Sequence, residues 1–246
     1  MDITKYTPLY TKLDEEYQVL YTHNFTEGWF SRSYVGDWGI LPQEAWYLDY
    51  LDSGKLSQVS LELIKCGRKP RPYYTQAIDL SKTEEELHHD LRKSYKSLVN
   101  KNPIISVMSD IEPIRKLHVK MYGGETRSKE TWFVQQKMIW AKELFALMQV
   151  RFPNINRPDL CEPEAGGLFY YNEHICYYGV GCSVEGVGSH ALIWRAILHA
   201  KKLGCRWFDM GQQVFDGGEK DVNISKFKRG FGGETRVYLE FRKDEG

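Results

Sequence analysis

Over the first 80 residues the apolar positions come in short runs, at 17–21, 45–51, 59–64 and 73–78, rich in aromatic and β-branched side chains. Gly, Asp and Pro divide them, the pattern of strands separated by turns. Cys66-Gly67-Arg68-Lys69-Pro70-Arg71-Pro72 reads as a basic hairpin tip between the last two, its three cations solvated or set to touch an anion. From Ser81 the period changes. Ser81-Lys82-Thr83-Glu84 fits a capping box. Leu87, Leu91 and Leu98 then recur at helical spacing, so one helix is expected, with Arg92, Lys93, Lys96 and Lys101 on its other faces. A second helix is expected from Asp110, turning Ile114, Leu117 and Met121 inward and stopping at Gly123-Gly124. Ser128 is placed to cap a third, with Phe133, Ile139 or Trp140, and Leu144 along its buried side.

The last hundred residues are the most regular. Runs at 167–171 and 175–180 flank Asn172-Glu173-His174 as a hairpin. The glycine loop Ser183-Val184-Glu185-Gly186-Val187-Gly188 leads to Ser189, an N-cap for a helix carrying Leu192, Ala196, Ile197, Ala200 and Leu203. Lys201 and Lys202 complement its C-terminal dipole, and Gly204 ends it. Arg206-Trp207-Phe208-Asp209-Met210-Gly211 is then a short strand ending in a turn, followed by a loop over 212–224, the segment 227–233 and a last strand over 235–241. A strand–helix–strand crossover in this setting implies an α/β (α+β) domain.

Composition narrows the chemistry. With 33 basic and 33 acidic residues in 246, the chain has no net field to gather DNA or an anionic membrane, so anion binding must come from local clusters. The N-terminus has no apolar signal-like region, and no apolar run approaches the length of a membrane span. Five scattered cysteines without a Cys-x-x-Cys pair fit reduced core thiols, and a cytoplasmic location is expected. His88 and His89 are adjacent on a helix and point apart, so no metal site is expected. Nucleophile elbow, Walker loop and dinucleotide fingerprint are all missing from the sequence.

Three segments carry a family resemblance. They are Ile78-Asp79-Leu80-Ser81-Lys82-Thr83-Glu84-Glu85-Glu86-Leu87 with Leu91-Arg92-Lys93; Leu192-Ile193-Trp194-Arg195-Ala196-Ile197 with residues 200–211; and Phe227-Lys228-Arg229-Gly230-Phe231-Gly232-Gly233. In this order and spacing they resemble the Fem-type branch of the GNAT acyltransferases, whose best-known members attach amino acids to peptidoglycan precursors. The resemblance implies a GNAT-like mixed sheet flanked by helices over residues 76–246. Residues 1–75 form a strand-rich N-terminal portion, in place of the complete first unit found in the bridge-forming enzymes.

The resemblance also directs attention to particular side chains. Lys228 is the candidate for stabilising the oxyanion of an acyl transfer, with Phe227 and Phe231 fixing its direction. The same residues read equally as an ordinary basic turn. Asp209, at the end of a strand, is either an acceptor of the amine proton or a cap of the following loop. Gln212, Gln213 and Arg229 lie beside these two, and one of the hairpin tyrosines Tyr170, Tyr171, Tyr177 and Tyr178, with Tyr178 favoured, lines the cleft. Arg92 and Lys96 share a helix face that suits a diphosphate or a tRNA end, or is simply a solvated basic face. Gly186, Gly188 and Ser189 are placed to hold the pyrophosphate of acyl-CoA at a helix start, although Ser183 stands where Gln or Arg is usual.

The expected function is an N-acyltransferase acting on an amino group of a cell-envelope precursor, such as a nucleotide-linked amino sugar or a peptidoglycan intermediate, with acetyl-CoA or another acyl-CoA as donor. The alternatives are an aminoacyl-tRNA-dependent aminoacyltransferase on a similar acceptor, and a non-catalytic protein that binds a glycan or peptide.

Overall fold

The computed structural model of the protein describes residues 6–13, 18–26, 29–34, 47–50, 64–65, 67, 69–101, 103–127, 129–151, 161–171 and 175–241. The expected run at 59–63, Cys66, Arg68, the Ser128 cap and the hairpin tip 172–174 lie outside them.

Eleven strands form one sheet. They are β1 (Tyr6–Leu13), β2 (Gln18–Thr26), β3 (Trp29–Tyr34), β4 (Tyr47–Tyr50), β5 (Pro70–Asp79), β6 (Ile104–Met108), β7 (Leu144–Arg151), β8 (Glu162–Tyr171), β9 (Ile175–Ser183), β10 (Trp207–Gln212) and β11 (Glu234–Phe241). Their spatial order is β1-β2-β3-β4-β11-β5-β10-β9-β8-β7-β6, so the sheet runs unbroken from the front strands into the rest through the β4–β11 pair. Among the described residues β9 and β10 pair in parallel and the other neighbours are antiparallel. The helices whose bounds lie among the described residues are α1 (Glu84–Asp90), α2 (Lys93–Val99), α3 (Glu112–Tyr122), α4 (Lys129–Trp140), α5 (His190–Lys202) and α6 (Glu219–Arg229).

Continuous burial marks the middle of the sheet. Residues 144–149 of β7 and 165–170 of β8 are all buried, as strands covered on both faces require. Their side chains alternate between two cores. Phe145, Leu147, Phe169, Cys176, Phe208 and Met210 pack under α1, α2 and α5, with Phe231 just past α6. Leu144, Ala146, Met148, Leu168, Tyr170 and Ile175 pack under α3 and α4. The fold is thus the expected α/β arrangement, a mixed sheet between helical layers.

Several local expectations are corrected. The first helix is capped by Thr83, whose side chain accepts from the Glu86 N–H while Glu86 reaches back to the Thr83 N–H. Ser81 instead donates its hydroxyl to Asp79 at the end of β5. The expected single helix breaks at Leu91-Arg92, both in extended backbone, so Arg92 precedes α2 and shares no helical face with Lys96. On α4, Phe133 and Trp140 are 54% and 65% exposed. The buried side of α4 is Thr131, Trp132, Gln135, Gln136 and Met138, because Gln136 and Gln135 are held by Ser109, Ile111 and Tyr170. Pro70, Arg71 and Pro72 are not a hairpin tip; they form the start of β5, in register with Phe241, Glu240 and Leu239. Finally, residues 219–224 are helix, where a loop was expected, and Phe227-Lys228-Arg229 is the last turn of α6. Acidic Glu219 and Asp221 at the start of α6 and basic Lys226, Lys228 and Arg229 at its end suit the helix dipole.

Candidate active site

The site begins where the two parallel strands part. Pairing between β10 and β9 covers Trp207↔Ile175, Phe208↔Cys176 and Asp209↔Tyr177, and stops there. Beyond it β9 continues along β8 as far as Ser183, while β10 rejoins β5 at Gln212↔Thr75. Asp209 is the last paired residue of β10 at this point. Its buried carboxylate oxygen Oδ1 accepts the Gly211 N–H at 2.6 Å and the hydroxyl of Thr75. The first bond closes a local side-chain turn, and Gly211 completes it with a φ of 78°, a conformation that glycine adopts without penalty.

Into this gap α6 delivers Lys228. Its Nζ donates to the Gln212 carbonyl at 3.2 Å. Burial pulls its pKa down to about 8, and the negative charge of Asp209 opposes that shift. A cation is therefore held at the strand divergence, under the influence of the buried Asp209 charge. Arg92 and Tyr95 fix the end of the helix that carries it. Arg92 donates from Nη2 to the Lys226 carbonyl and from its backbone N–H to the Gly230 carbonyl, each at 2.9 Å, and the Tyr95 hydroxyl donates to the Phe227 carbonyl at 3.2 Å. These bonds satisfy carbonyls that a helix end leaves open. Phe227, Phe231, Tyr95 and His190 pack ring against ring beneath them.

Lys228 lies at one end of a cleft of about 430 Å³. One wall is β9 from Tyr178 to Ser183; the other is the α6 face of Lys220, Ile224, Phe227 and Lys228; Met121, Tyr122 and Ser189 close the rim. The β9 wall is bulged: Leu168 pairs with Val180 and Phe169 with Tyr178, which leaves Gly179 over. The Tyr178 ring lies along this wall, its hydroxyl in the space a side chain at position 181 would need, so Gly181 is the residue that lets it lie flat. Burial pushes the Tyr178 hydroxyl pKa well up, so it stays protonated. Among the described residues the lining holds two lysines and no carboxylate, which suits an anionic ligand.

Other candidates fall as follows. Arg229 donates to the Gln213 side chain at 3.2 Å and covers the Phe215 ring, on the flank of α6 away from the cleft. Gln212 contributes its backbone carbonyl, and Gln213 is buried beneath it. Arg92 braces α6 and is not part of the cleft lining, nor is Lys96. Ser189 is at the rim and precedes α5 as expected, without a side-chain capping bond. Gly186 and Gly188 are exposed on the loop between β9 and α5, where the Val184 and Val187 N–H groups are already bonded to Glu164 and Val184 carbonyls. Tyr170 is fully buried against Gln135.

Lys220, Ile224 and Thr75 were not anticipated. The spacing of 220, 224, 227 and 228 is that of one helix face and would have revealed the first two had 219–224 been read as helical. Thr75 meets Asp209 only through the β5–β10 pairing, which no local pattern encodes. Among the described residues, no cluster of three or more His, Cys, Asp or Glu is set to hold a metal ion, and no helix is long and apolar enough to cross a membrane.

No protein-family model and no curated protein matches the chain. Solved structures do. The crystal structure of FemX superposes with a TM-score of 0.61 at 11% identity, covering 98% of this chain and 89% of that one. The C-terminal domain of a putative lysylphosphatidylglycerol synthetase from Agrobacterium fabrum gives 0.54 at 11% identity, over 98% and 84%. L-PGS from Bacillus licheniformis gives 0.50 at 14% identity, over 98% and 85%. At these identities the likeness is one of fold: the chain shares the fold of FemX and of these lysylphosphatidylglycerol synthetase structures.

Proposed function

We propose that the protein is a cytoplasmic N-acyltransferase of the Fem-like type, its transfer site lying in residues 76–246. It joins an acyl group from acyl-CoA to an amino group on a cell-envelope precursor. The observation that carries this reading is the Lys228 ammonium, held in the gap between β9 and β10 at the end of a cleft lined by cations.

In the reaction the acceptor nitrogen attacks the thioester carbonyl carbon, a C–N bond forms, the C–S bond breaks with CoA leaving as thiolate, and the proton lost by the amine ends on that sulfur. Lys228 faces the oxygen that becomes negative in the tetrahedral intermediate. One such preorganised donor contributes roughly 3–4 kcal/mol. Asp209 acts by orientation, its Oδ1 accepting from the Thr75 hydroxyl and the Gly211 N–H. Tyr178 and the bulged β9 wall exclude water along the donor's arm, and the first N–H groups of α5 beyond Gly186, Gly188 and Ser189 suit its pyrophosphate.

A second reading is favoured by one feature: Ser183 occupies the loop position where CoA-dependent relatives carry Gln or Arg. It is an aminoacyl-tRNA donor, which the same cationic cleft suits. A thermal-shift series with acetyl-CoA, CoA and nucleotide sugars separates the readings. A ligand at a hundred times its Kd adds ~2.7 kcal/mol of stability. Stabilisation by CoA and acetyl-CoA supports the first reading. Its absence at saturation, with product formed from charged tRNA, supports the second. Acceptor binding without product from either donor would make the protein a binder only.

A further inference from the structure

Tyr122 is the last residue of α3 and part of the rim that closes the cleft, where it is 51% exposed. Lys220, on the α6 wall, places its Nζ 5.8 Å from the centre of the Tyr122 ring. The helices α3 and α6 thus meet at the rim through a cation–π contact, a weak interaction at an exposed site. The shape of the rim is therefore set by whatever holds the Tyr122 ring.

What holds it is His118, one helical turn earlier on the same face of α3. The two rings stack with centroids 4.4 Å apart and 28° between their planes, and Trp132 of α4 meets the His118 ring edge to face at 5.5 Å. The helix stops at Gly123, in left-handed backbone with a φ of 73°, and the chain turns back so that Thr126 and Arg127 return to the imidazole. Arg127 Nη1 lies 3.3 Å from His118 Nε2, and Thr126 Oγ1 lies 3.5 Å from Nδ1. A guanidinium only donates, so Nε2 is the accepting nitrogen and the ring proton belongs on Nδ1, toward Thr126. Glu125 ties the same turn to α3 by pairing with Arg115.

From this geometry we infer that His118, as the neutral imidazole, is the positioning residue of the cleft rim: held by Arg127, it seats the Tyr122 ring against Lys220. A proton on Nε2 would set an N–H against the Arg127 N–H and a second positive charge beside the first, at a residue only 4% exposed. Either the imidazole or Arg127 must then withdraw, and the stack under Tyr122 goes with it. The groups that face the imidazole are Glu125, Thr126 and Arg127 from the turn, Tyr122 from its own helix and Trp132 from α4. Burial and the Arg127 charge hold His118 below the usual histidine value, with Glu125 opposing them. The seated state therefore belongs to neutral and alkaline pH, and it is lost as the pH falls through the lowered value, below about 6.5. The role of the seat in donor binding rests on the acyl-CoA reading; the seat itself does not.

The test follows protein with isotope-labelled lysine and histidine by NMR, from about pH 7.5 to about pH 5. The Lys220 side chain should carry an upfield ring-current shift that Tyr122→Leu removes. In wild type this shift should disappear in step with the protonation of His118. In His118→Gln, whose side-chain carbonyl accepts from Arg127 and does not titrate, it should persist to the acid end. Acetyl-CoA affinity, measured by calorimetry, should fall several-fold more in wild type than in His118→Gln over the same range. A Lys220 shift that stays while His118 protonates, or that is lost at the same pH in His118→Gln, overturns the seat. Equal loss of acetyl-CoA affinity in both proteins overturns its role in donor binding. Should His118→Gln fail to fold, the wild-type titration of Lys220 against His118 decides alone. Absence of acetyl-CoA binding at every pH removes the donor reading and leaves the Lys220 shift to decide the seat.

Discussion

Asp209 and Lys228 come from β10 and α6, consecutive elements of the chain, and the charge of the carboxylate acts on the lysine. The carboxylate accepts the Gly211 N–H where the pairing of β10 with β9 ends, and its charge opposes the loss of the Lys228 proton. The lysine caps the Gln212 carbonyl at the end of the same turn. The divergence of the strands and the protonation of the cation within it are thus one structural unit.

Lys228→Ala should lower kcat by about 10²–10³, the cost of losing one oxyanion donor, with acetyl-CoA affinity nearly unchanged. Because the ammonium is the working form, the wild-type rate should have an alkaline limb near pH 8. Lys228→Arg, charged throughout, should remove that limb from whatever activity it retains. A pH–rate profile from pH 6 to about 10 checks this.

The same shift makes a stability statement. Folded Lys228 loses its proton near pH 8, against an ordinary value of 10.5, so between these the unfolded chain binds more protons and stability rises with pH. Below that window the burial of the charge is a constant cost. Lys228→Met should therefore be more stable than wild type at pH 7, and the difference should shrink across pH 8 to 10.5. Urea midpoints at several pH values measure it.

Asp209→Asn keeps the shape of the side chain and removes its charge. Lys228 should then lose its proton at lower pH, and the alkaline limb should move down. Asp209→Ala leaves the buried Gly211 N–H and Thr75 hydroxyl without this partner, a loss of about 1–3 kcal/mol. An NMR titration of the Lys228 Nζ and a denaturant melt separate the two effects.

Two glycines with left-handed backbone should respond differently to alanine. Gly186 (φ 77°) has nothing within 4 Å of a new Cβ, so Gly186→Ala costs only the backbone penalty, about 1–2 kcal/mol. At Gly233 (φ 75°) the Cβ would enter the backbone oxygen of Ala77, which is fixed in β5, and approach Ile78 at 2.9 Å. Gly233→Ala adds overpacking, about 1–3 kcal/mol more. Chemical denaturation of both variants provides the comparison.

Thr83→Ala should cost about 1 kcal/mol, the usual loss of an N-cap. Ser81→Ala should cost less, since Ser81 serves Asp79 at an exposed turn and not the helix.

Much of the fold is legible along the chain. The helix over Leu192, Ala196, Ile197 and Ala200, the stop at Gly123 and the β8–β9 hairpin follow from local period and capping chemistry. The placing of Lys228 rests on the motif Phe227-Lys228-Arg229-Gly230-Phe231-Gly232-Gly233, and the structure puts its lysine at the cleft. Local pattern was misleading where hydrogen bonds outside the segment decided the outcome. Ser81-x-x-Glu84 and Thr83-x-x-Glu86 are both capping boxes on paper, and Asp79 draws Ser81 away. Phe133 and Trp140 look like core, but the bonds made by Gln135 and Gln136 turn that helix the other way. The weakly apolar start of α6 gave no helical period to find.

The sequence by itself determined the alternation of strands and helices, the crossover between β9 and β10, and the chemical identity of the cation, because these depend on neighbours within a few residues. Only the tertiary structure decided what surrounds that cation. Gln212 bonds Lys228 through helix packing, and Asp209, whose charge acts on it, is held by Thr75 through strand pairing across 134 positions. The burial that lowers its pKa is likewise a property of the assembled layers, as solvent exclusion is never encoded at a single position.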